Sequence, residues 1–192
     1  LDTKTIKDYQ YLLFFVAIIW LIEFINIYLG HSLNQYGLVP RNFDRLYGVV
    51  TMHFLHSGMT HLIANTLPLL VLGFLVSATH KGLPVTGTIA IITGCLVWAA
   101  ARNGQHVGAS GLVMGYFGFL VSSAFFEGSF KNILLMLLTV FLYGGLIFTL
   151  IDFRQYISFE GHIFGFISGI ASAKIWQKKI KTSSYGHRNS NT

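Results

Sequence analysis

Gly108-Ala109-Ser110-Gly111-Leu112-Val113-Met114-Gly115-Tyr116-Phe117-Gly118 opens an apolar run that reaches Phe126 before the first charged residue, Glu127. From Ser110 to Glu127 the chain rises roughly 26 Å as an α-helix, close to the ~30 Å of hydrocarbon that a spanning helix crosses. Gly111, Gly115 and Gly118 fall on one stripe of that helix, and small residues at such spacing let membrane helices approach closely. A second stripe, Gly161, Gly165, Gly169 and Ala173, repeats every four residues in the last apolar run. If the two stripes face each other, Ser110 and His162 are brought together.

The composition places the whole chain in the membrane class. Of 192 residues, 53% are hydrophobic and only 10% charged, and the mean hydropathy is +0.61, too apolar for an ordinary soluble domain of this size. Six apolar stretches of spanning length can be read, at about Tyr9–Gly30, Thr60–Thr79, Leu83–Ala101, Ser110–Phe126, Lys131–Ile151 and Phe159–Trp176. Short alternating strands of a barrel are absent, and lipid admits only helices or closed barrels. The expectation is an all-α, polytopic bundle of six transmembrane helices over residues 1–181, followed by a disordered tail, 182–192, rich in Ser, Asn, Gly and Thr.

An even number of spans puts both termini on one side, and lysine and arginine identify it. Lys4, Lys7, Lys81, Lys131, Lys174, Lys178, Lys179, Lys181 and Arg188 make nine on one face, against Arg41, Arg45, Arg102 and Arg154, four on the other. Both termini are expected to be cytoplasmic. The net charge of +6 clusters beside the first and last spans, where anionic lipid accounts for it, so no nucleic-acid partner is expected. The first stretch is too long for a cleavable secretory segment and reads as a signal anchor. The single cysteine, Cys95, permits no internal disulfide.

Depth can be estimated from this topology. Spans two, four and six run in the same direction. His61 and Asn65 lie roughly 28 Å and 22 Å of helix before the inner loop, Ser110 roughly 26 Å, and His162 roughly 24 Å. The four polar side chains therefore share one layer below the outer surface. A serine hydroxyl needs a base to become a nucleophile, and an imidazole of ordinary pKa near ~6.5 is such a base at neutral pH. Ser110 at a helix start also lies beside unpaired backbone N–H groups that stabilise an oxyanion, and His61 and Asn65 add side-chain donors. Asp152 and Glu160 lie near the last outer loop, and Glu160 would point to another face than His162, so a Ser–His dyad without a carboxylate is the expected unit.

At these residues the chain resembles the rhomboid family of intramembrane serine proteases. The matching elements are Gly108-Ala109-Ser110-Gly111, Gly161-His162-Ile163-Phe164-Gly165 and the His61…Asn65 pair. Gly37-Leu38-Val39-Pro40-Arg41 and Thr51-Met52-His53-Phe54-Leu55-His56 precede them, in the family's order. The resemblance implies cleavage of transmembrane segments of other membrane proteins, with Ser110 as nucleophile and His162 as base. His61, Asn65 and the Ser110 N–H would form the oxyanion hole, no cofactor or ATP is implied, and span five is the expected side gate. Two departures stand out. Met114 occupies the place where many members stack an aromatic ring on the base, and Tyr47-Gly48 stands near the place of a Trp-Arg pair found in some bacterial members.

Other readings compete on the same residues. Closely spaced His53, His56 and His61 could ligate zinc, but no HExxH pattern, adjacent carboxylate or nearby cysteine supports a metal. His53 and His56 are expected to satisfy loop backbone groups or organise water, and His31, His80, His106 and His187 to be surface residues. Glu23 and Asn26, expensive in lipid, should face the bundle or the interface. The loop from His31 to Met59 should lie partly in the interface. A non-catalytic chaperone or scaffold that binds transmembrane helices is the alternative function, although helix binding needs neither Ser110 nor His162. A transporter would want paired intramembrane carboxylates or broken-helix pairs, which are not evident. Membrane lipids are partners in any of these readings; the sequence leaves the oligomeric state open.

Overall fold

In lipid a chain has no water to satisfy its backbone, so each apolar run closes its hydrogen bonds within itself as a helix. The computed structural model describes residues 2–151 and 158–177, and six of its helices follow the six apolar runs. They are α1 (Thr3–Tyr28), α3 (Met59–Ser77), α4 (Gly82–Ala100), α5 (Ser110–Glu127), α6 (Phe130–Tyr143) and α7 (Phe159–Ile175), with a single turn, α2 (Gly48–Thr51), in the first loop. Among the described residues the only β pairing is an isolated bridge between Leu38 and His106. Five helices, counting α6 with its continuation to Leu150, are long and apolar enough to cross a membrane. The sixth, α7, has 17 residues, roughly 26 Å, the short end of the spanning range. Asp152, Arg154 and the tail 182–192 lie outside the described residues.

The bundle is built around α5. Of its spanning window 72% is buried, against 28% for α1 and 11% for the α6 window. The two glycine stripes do meet. A Cβ on Gly165 would come within 3.0 Å of the Gly111 Cα, one on Gly169 within 2.7 Å of the Phe119 amide nitrogen, and one on Gly118 within 2.5 Å of the Phe166 carbonyl oxygen. The α5 and α7 backbones therefore touch directly, with no room for side chains between them. Around this contact Leu112, Tyr116, Phe119 and Leu120 pack on Leu69, Leu72, Val85 and Ile89, all buried. The Tyr116 hydroxyl is paired with Thr86 Oγ1 at 2.8 Å, so the core ring does not strand its polar tip.

Span five departs from a uniform helix. The α-helical part ends at Tyr143 and the chain continues as a 3-10 helix over Gly144–Ile151. Gly144-Gly145 at the junction lowers the preference for the α form, and the tighter coil follows.

The first loop is folded into the bundle more deeply than an interfacial strap would be. Leu38 and Met52 are buried and pack with Val97 and Ala101 of the span-three end. Arg41, at φ 59°, donates to the Ala101 carbonyl at 2.8 Å and to Asn103 Oδ1 at 2.5 Å. Glu23 and Asn26 face the bundle and are fully buried. Asn26 Nδ2 is shared among Glu23 Oε2 (3.2 Å), Asn34 Oδ1 (3.1 Å) and the His56 carbonyl (3.3 Å), and Asn26 Oδ1 accepts the Leu33 N–H (3.0 Å). These two polar residues of α1 hold the first loop in place.

His53 and His56 both pair with backbone groups, His53 with one inside span three and not in a loop. His53 donates Nε2–H to the Ala90 carbonyl at 3.0 Å, and burial pushes its pKa from the ordinary 6.5 down to about 4. His56 accepts the Ala109 N–H at 3.5 Å, and burial, with the neighbouring His61, pushes it down to about 3. Both rings are thus neutral in the folded protein, while the unfolded chain takes up protons below about 6.5. Their contribution to stability is complete above that pH and is lost as pH falls toward the folded values.

Two outcomes are expected from unfolding measurements in micelles. Gly169→Leu should destabilise by about 2 kcal/mol or more through overpacking, whereas Gly87→Ala, which meets nothing within 4 Å, should stay within about 0.5 kcal/mol of the parent. Stability should be flat above about pH 6.5 and fall progressively toward about pH 4; an unchanged stability at the acid end would contradict the buried neutral histidines.

Candidate active site

Ser110 is the first residue of α5, His162 the fourth of α7, and His61 and Asn65 lie one turn apart in α3. All four line one cavity of about 910 Å³. Its lining is polar at Arg102, Asn103 and Gln105 and apolar at Ala64, Pro68, Val113 and Leu146. A cavity of this volume is in the range of ligand sites.

The turn before Ser110 is held by its surroundings. Gly108 has φ 127°, and a Cβ there would lie 2.7 Å from His61 Cε1, so both the backbone and the space demand glycine. Its N–H donates to the Met52 carbonyl at 2.8 Å. Ala109, with its amide on His56, is the N-terminal boundary of α5 and offers no capping side chain. The Ser110 N–H therefore lies in a first turn that has no intrahelical acceptor for it. Among the described residues Ser110 Oγ makes no hydrogen bond; such contacts are often long before substrate arrives.

His162 is oriented from span five. Its Nδ1 lies 3.2 Å from the Thr149 carbonyl oxygen. A carbonyl only accepts, so Nδ1 carries the proton and the neutral ring presents its lone pair at Nε2. Thr149 donates its hydroxyl to the Leu146 carbonyl (2.7 Å) and lies 3.7 Å from Met114 Sδ. Met114, noted above as a departure from the family's aromatic residue, thus packs on the segment that holds the imidazole. The Asn65 Nδ2 is buried without a hydrogen-bond partner, an arrangement that folded proteins avoid unless a ligand completes it. His61 Nδ1 is 3.1 Å from Ser57 Oγ; a hydroxyl donated into Nδ1 leaves Nε2–H as the donor of that ring.

Two expectations need correction or refinement. His106 is not a surface residue: it is 4% exposed, and its ring joins Ser158 Oγ (2.7 Å) to the Arg102 carbonyl (3.1 Å). Loops usually carry exposed polar residues, but this one folds back over the helix ends and pairs with Leu38. Glu160 faces away from His162, as its spacing implied, and takes both the Arg102 N–H and Nε at 3.2 Å. His31 and His80 have side chains 42% and 45% exposed, and His187 lies outside the described residues. Among the described residues no group of three His, Cys, Asp or Glu is placed to hold a metal.

Sequence reasoning missed Thr149, Ser57 and the His106–Ser158 pair. Ser158 had a readable signal, a serine just before an apolar helix with Glu160 in its first turn. Thr149 had none, because the atom that matters is a backbone carbonyl.

Comparison with known proteins shows the family. The family model described as the rhomboid domain matches residues 44–179. An uncharacterised protein of Mycobacterium tuberculosis is 35% identical over 175 residues, covering 84% of this chain and 72% of its own length. One of Mycobacterium leprae, also uncharacterised, is 32% identical over 173 residues, covering 84% and 68%. An all-α membrane bundle with a family match across most of its length, this chain belongs to the rhomboid family.

Proposed function

We propose that this rhomboid is an active intramembrane serine endopeptidase that cleaves transmembrane segments of other membrane proteins. The observation that carries the reading is the convergence of Ser110, His162, His61 and Asn65 on one cavity, with the His162 Nδ1 proton committed to Thr149 and the Asn65 amide unpartnered.

In this reaction Ser110 Oγ attacks the scissile carbonyl carbon while its proton passes to His162 Nε2. The resulting imidazolium keeps its Nδ1–H on the Thr149 carbonyl, which stabilises the charge without a carboxylate. The oxyanion receives hydrogen bonds from Asn65 Nδ2, His61 and the Ser110 N–H, donors fixed before the charge appears. Collapse breaks the C–N bond, and His162 returns the proton to the leaving amine. Water then attacks the acyl-serine ester, giving one proton to His162, and the ester breaks with that proton restored to Ser110. No cofactor takes part in these steps.

Substrate helices enter past α6, whose spanning window is the least buried of the five. The nine-to-four distribution of basic residues supports cytoplasmic termini, with the polar end of the cavity on the outer side.

Purified protein in liposomes should cleave a model transmembrane substrate with a small residue before the scissile bond and helix-breaking residues nearby. Ser110→Ala and His162→Ala should reduce cleavage to background with the fold retained, and Asn65→Ala should cost about 10²-fold in kcat. Cleavage that persists in Ser110→Ala contradicts the dyad, and binding of transmembrane helices without any cleavage by the parent protein supports a scaffold instead.

A further inference from the structure

The outer mouth holds a chain of hydrogen bonds in which every donor and acceptor can be assigned. The Arg102 carbonyl only accepts, so at 3.1 Å the His106 Nε2 carries the hydrogen. A neutral ring then has a bare Nδ1, and at 2.7 Å the Ser158 hydroxyl donates into it. That leaves the lone pairs of Ser158 Oγ free to accept the Gly161 N–H at 3.4 Å, the cap of α7. The Ser158 carbonyl in turn accepts the His162 N–H at 3.4 Å. Burial lowers the His106 pKa from its ordinary value, with Arg102 and Arg41 adding to the effect and the Arg102 carbonyl and Glu160 opposing it. The ring therefore keeps the neutral form that the chain of bonds requires.

The placement of the two residues gives this chain of bonds its meaning. His106 precedes Ser110 by one helical turn's worth of residues, and Ser158 precedes His162 by the same interval. The main chain of His106 is itself pinned, donating to the Leu38 carbonyl at 2.8 Å and accepting the Leu38 N–H at 3.0 Å. Below the dyad the glycine stripes clamp α5 to α7. Above it, the His106–Ser158 bond joins the Arg102–Glu160 pair in tying the loop that leads to the serine to the helix that carries the histidine, and of the two it is the one whose serine both caps α7 and accepts the His162 N–H. A clamp on one side alone leaves the upper turns free to pivot; ties on both sides fix the approach of His162 to Ser110.

We propose that His106 is a positioning residue for the dyad, acting through Ser158 to seat the first turn of α7 and hold His162 at reacting distance from Ser110. The proposal rests on the proteolytic reading above, and it goes beyond that reading in assigning a role to two residues that touch neither the nucleophile nor the base.

The test compares His106→Phe, which keeps a ring and loses both nitrogens, with Ser158→Ala, Ser158→Thr and the double variant His106→Phe/Ser158→Ala, all in liposomes. Because small misplacements of reacting groups are costly, each of the first two should lower kcat by about 10- to 100-fold with KM held within about twofold. Ser158→Thr, which keeps the hydroxyl, should restore most of the rate. The double variant should be no slower than the worse single variant, the mark of residues acting in one chain. A ¹⁵N NMR measurement of the His106 ring in the full-length parent protein should show Nε2–H and a bare Nδ1, and Ser158→Ala should shift the Nδ1 resonance. Folded variants with parental kcat, additive losses, or a parent ring protonated at Nδ1 overturn the proposal. If His106→Phe does not fold, the Ser158 pair and the NMR measurement decide. Absence of Ser110-dependent cleavage by the parent protein overturns the proteolytic reading alone, and the ring measurement then decides whether the His106–Ser158 tie exists.

Discussion

The backbone contact between α5 and α7 is the constraint from which the remaining geometry follows. Two helices whose main chains touch through Gly111, Gly115, Gly118, Gly165 and Gly169 have almost no freedom to slide or rotate. Lipid supplies no hydrophobic force to press helices together, so close packing of small residues carries the association. Once that register is set, the first turn of each helix lies at the same end of the bundle. The serine heads one and the histidine sits in the first turn of the other. The cavity's four polar residues thus sit on helices and not on loops, the placement that the proposed reaction, with its demand for ångström precision, would need.

The loops then orient what the helices bring together. Span five, tightened into a 3-10 coil after Gly144-Gly145, delivers the Thr149 carbonyl to His162. In the proposed mechanism this contact does the tautomer-fixing work that a carboxylate does in soluble serine hydrolases. A neutral carbonyl does so without placing an anion near the hydrocarbon, where a charge is expensive. The first loop, held by Glu23 and Asn26, presents His56 to Ala109 and so supports the turn before Ser110. Glu23, Asn26, His56 and His106 are buried polar groups that hold loops, a use of polar residues that composition alone does not disclose.

The six apolar helices were legible because length and hydropathy decide them almost without reference to tertiary contacts, although α7, with 17 residues, is the shortest candidate for a span. The meeting of Ser110 with His162, His61 and Asn65 in one cavity was legible through topology and the glycine stripes. Three features were not. The role of Thr149 belongs to a backbone atom, and every residue type has that atom. The burial of His106 depends on a loop folding back to pair with Leu38, a contact between positions far apart in sequence. The division of span five into two coils had only Gly144-Gly145 to announce it, and glycine pairs are tolerated in many membrane helices.

Whether Ser110 is a nucleophile activated by His162 is decided by mass-spectrometric localisation of a fluorophosphonate adduct on the protein embedded in membranes, comparing the parent with His162→Ala. Activation by the histidine requires an adduct on Ser110 in the parent and its loss in the variant. An unlabelled Ser110 in folded parent protein, or labelling that does not depend on His162, would rule out the dyad.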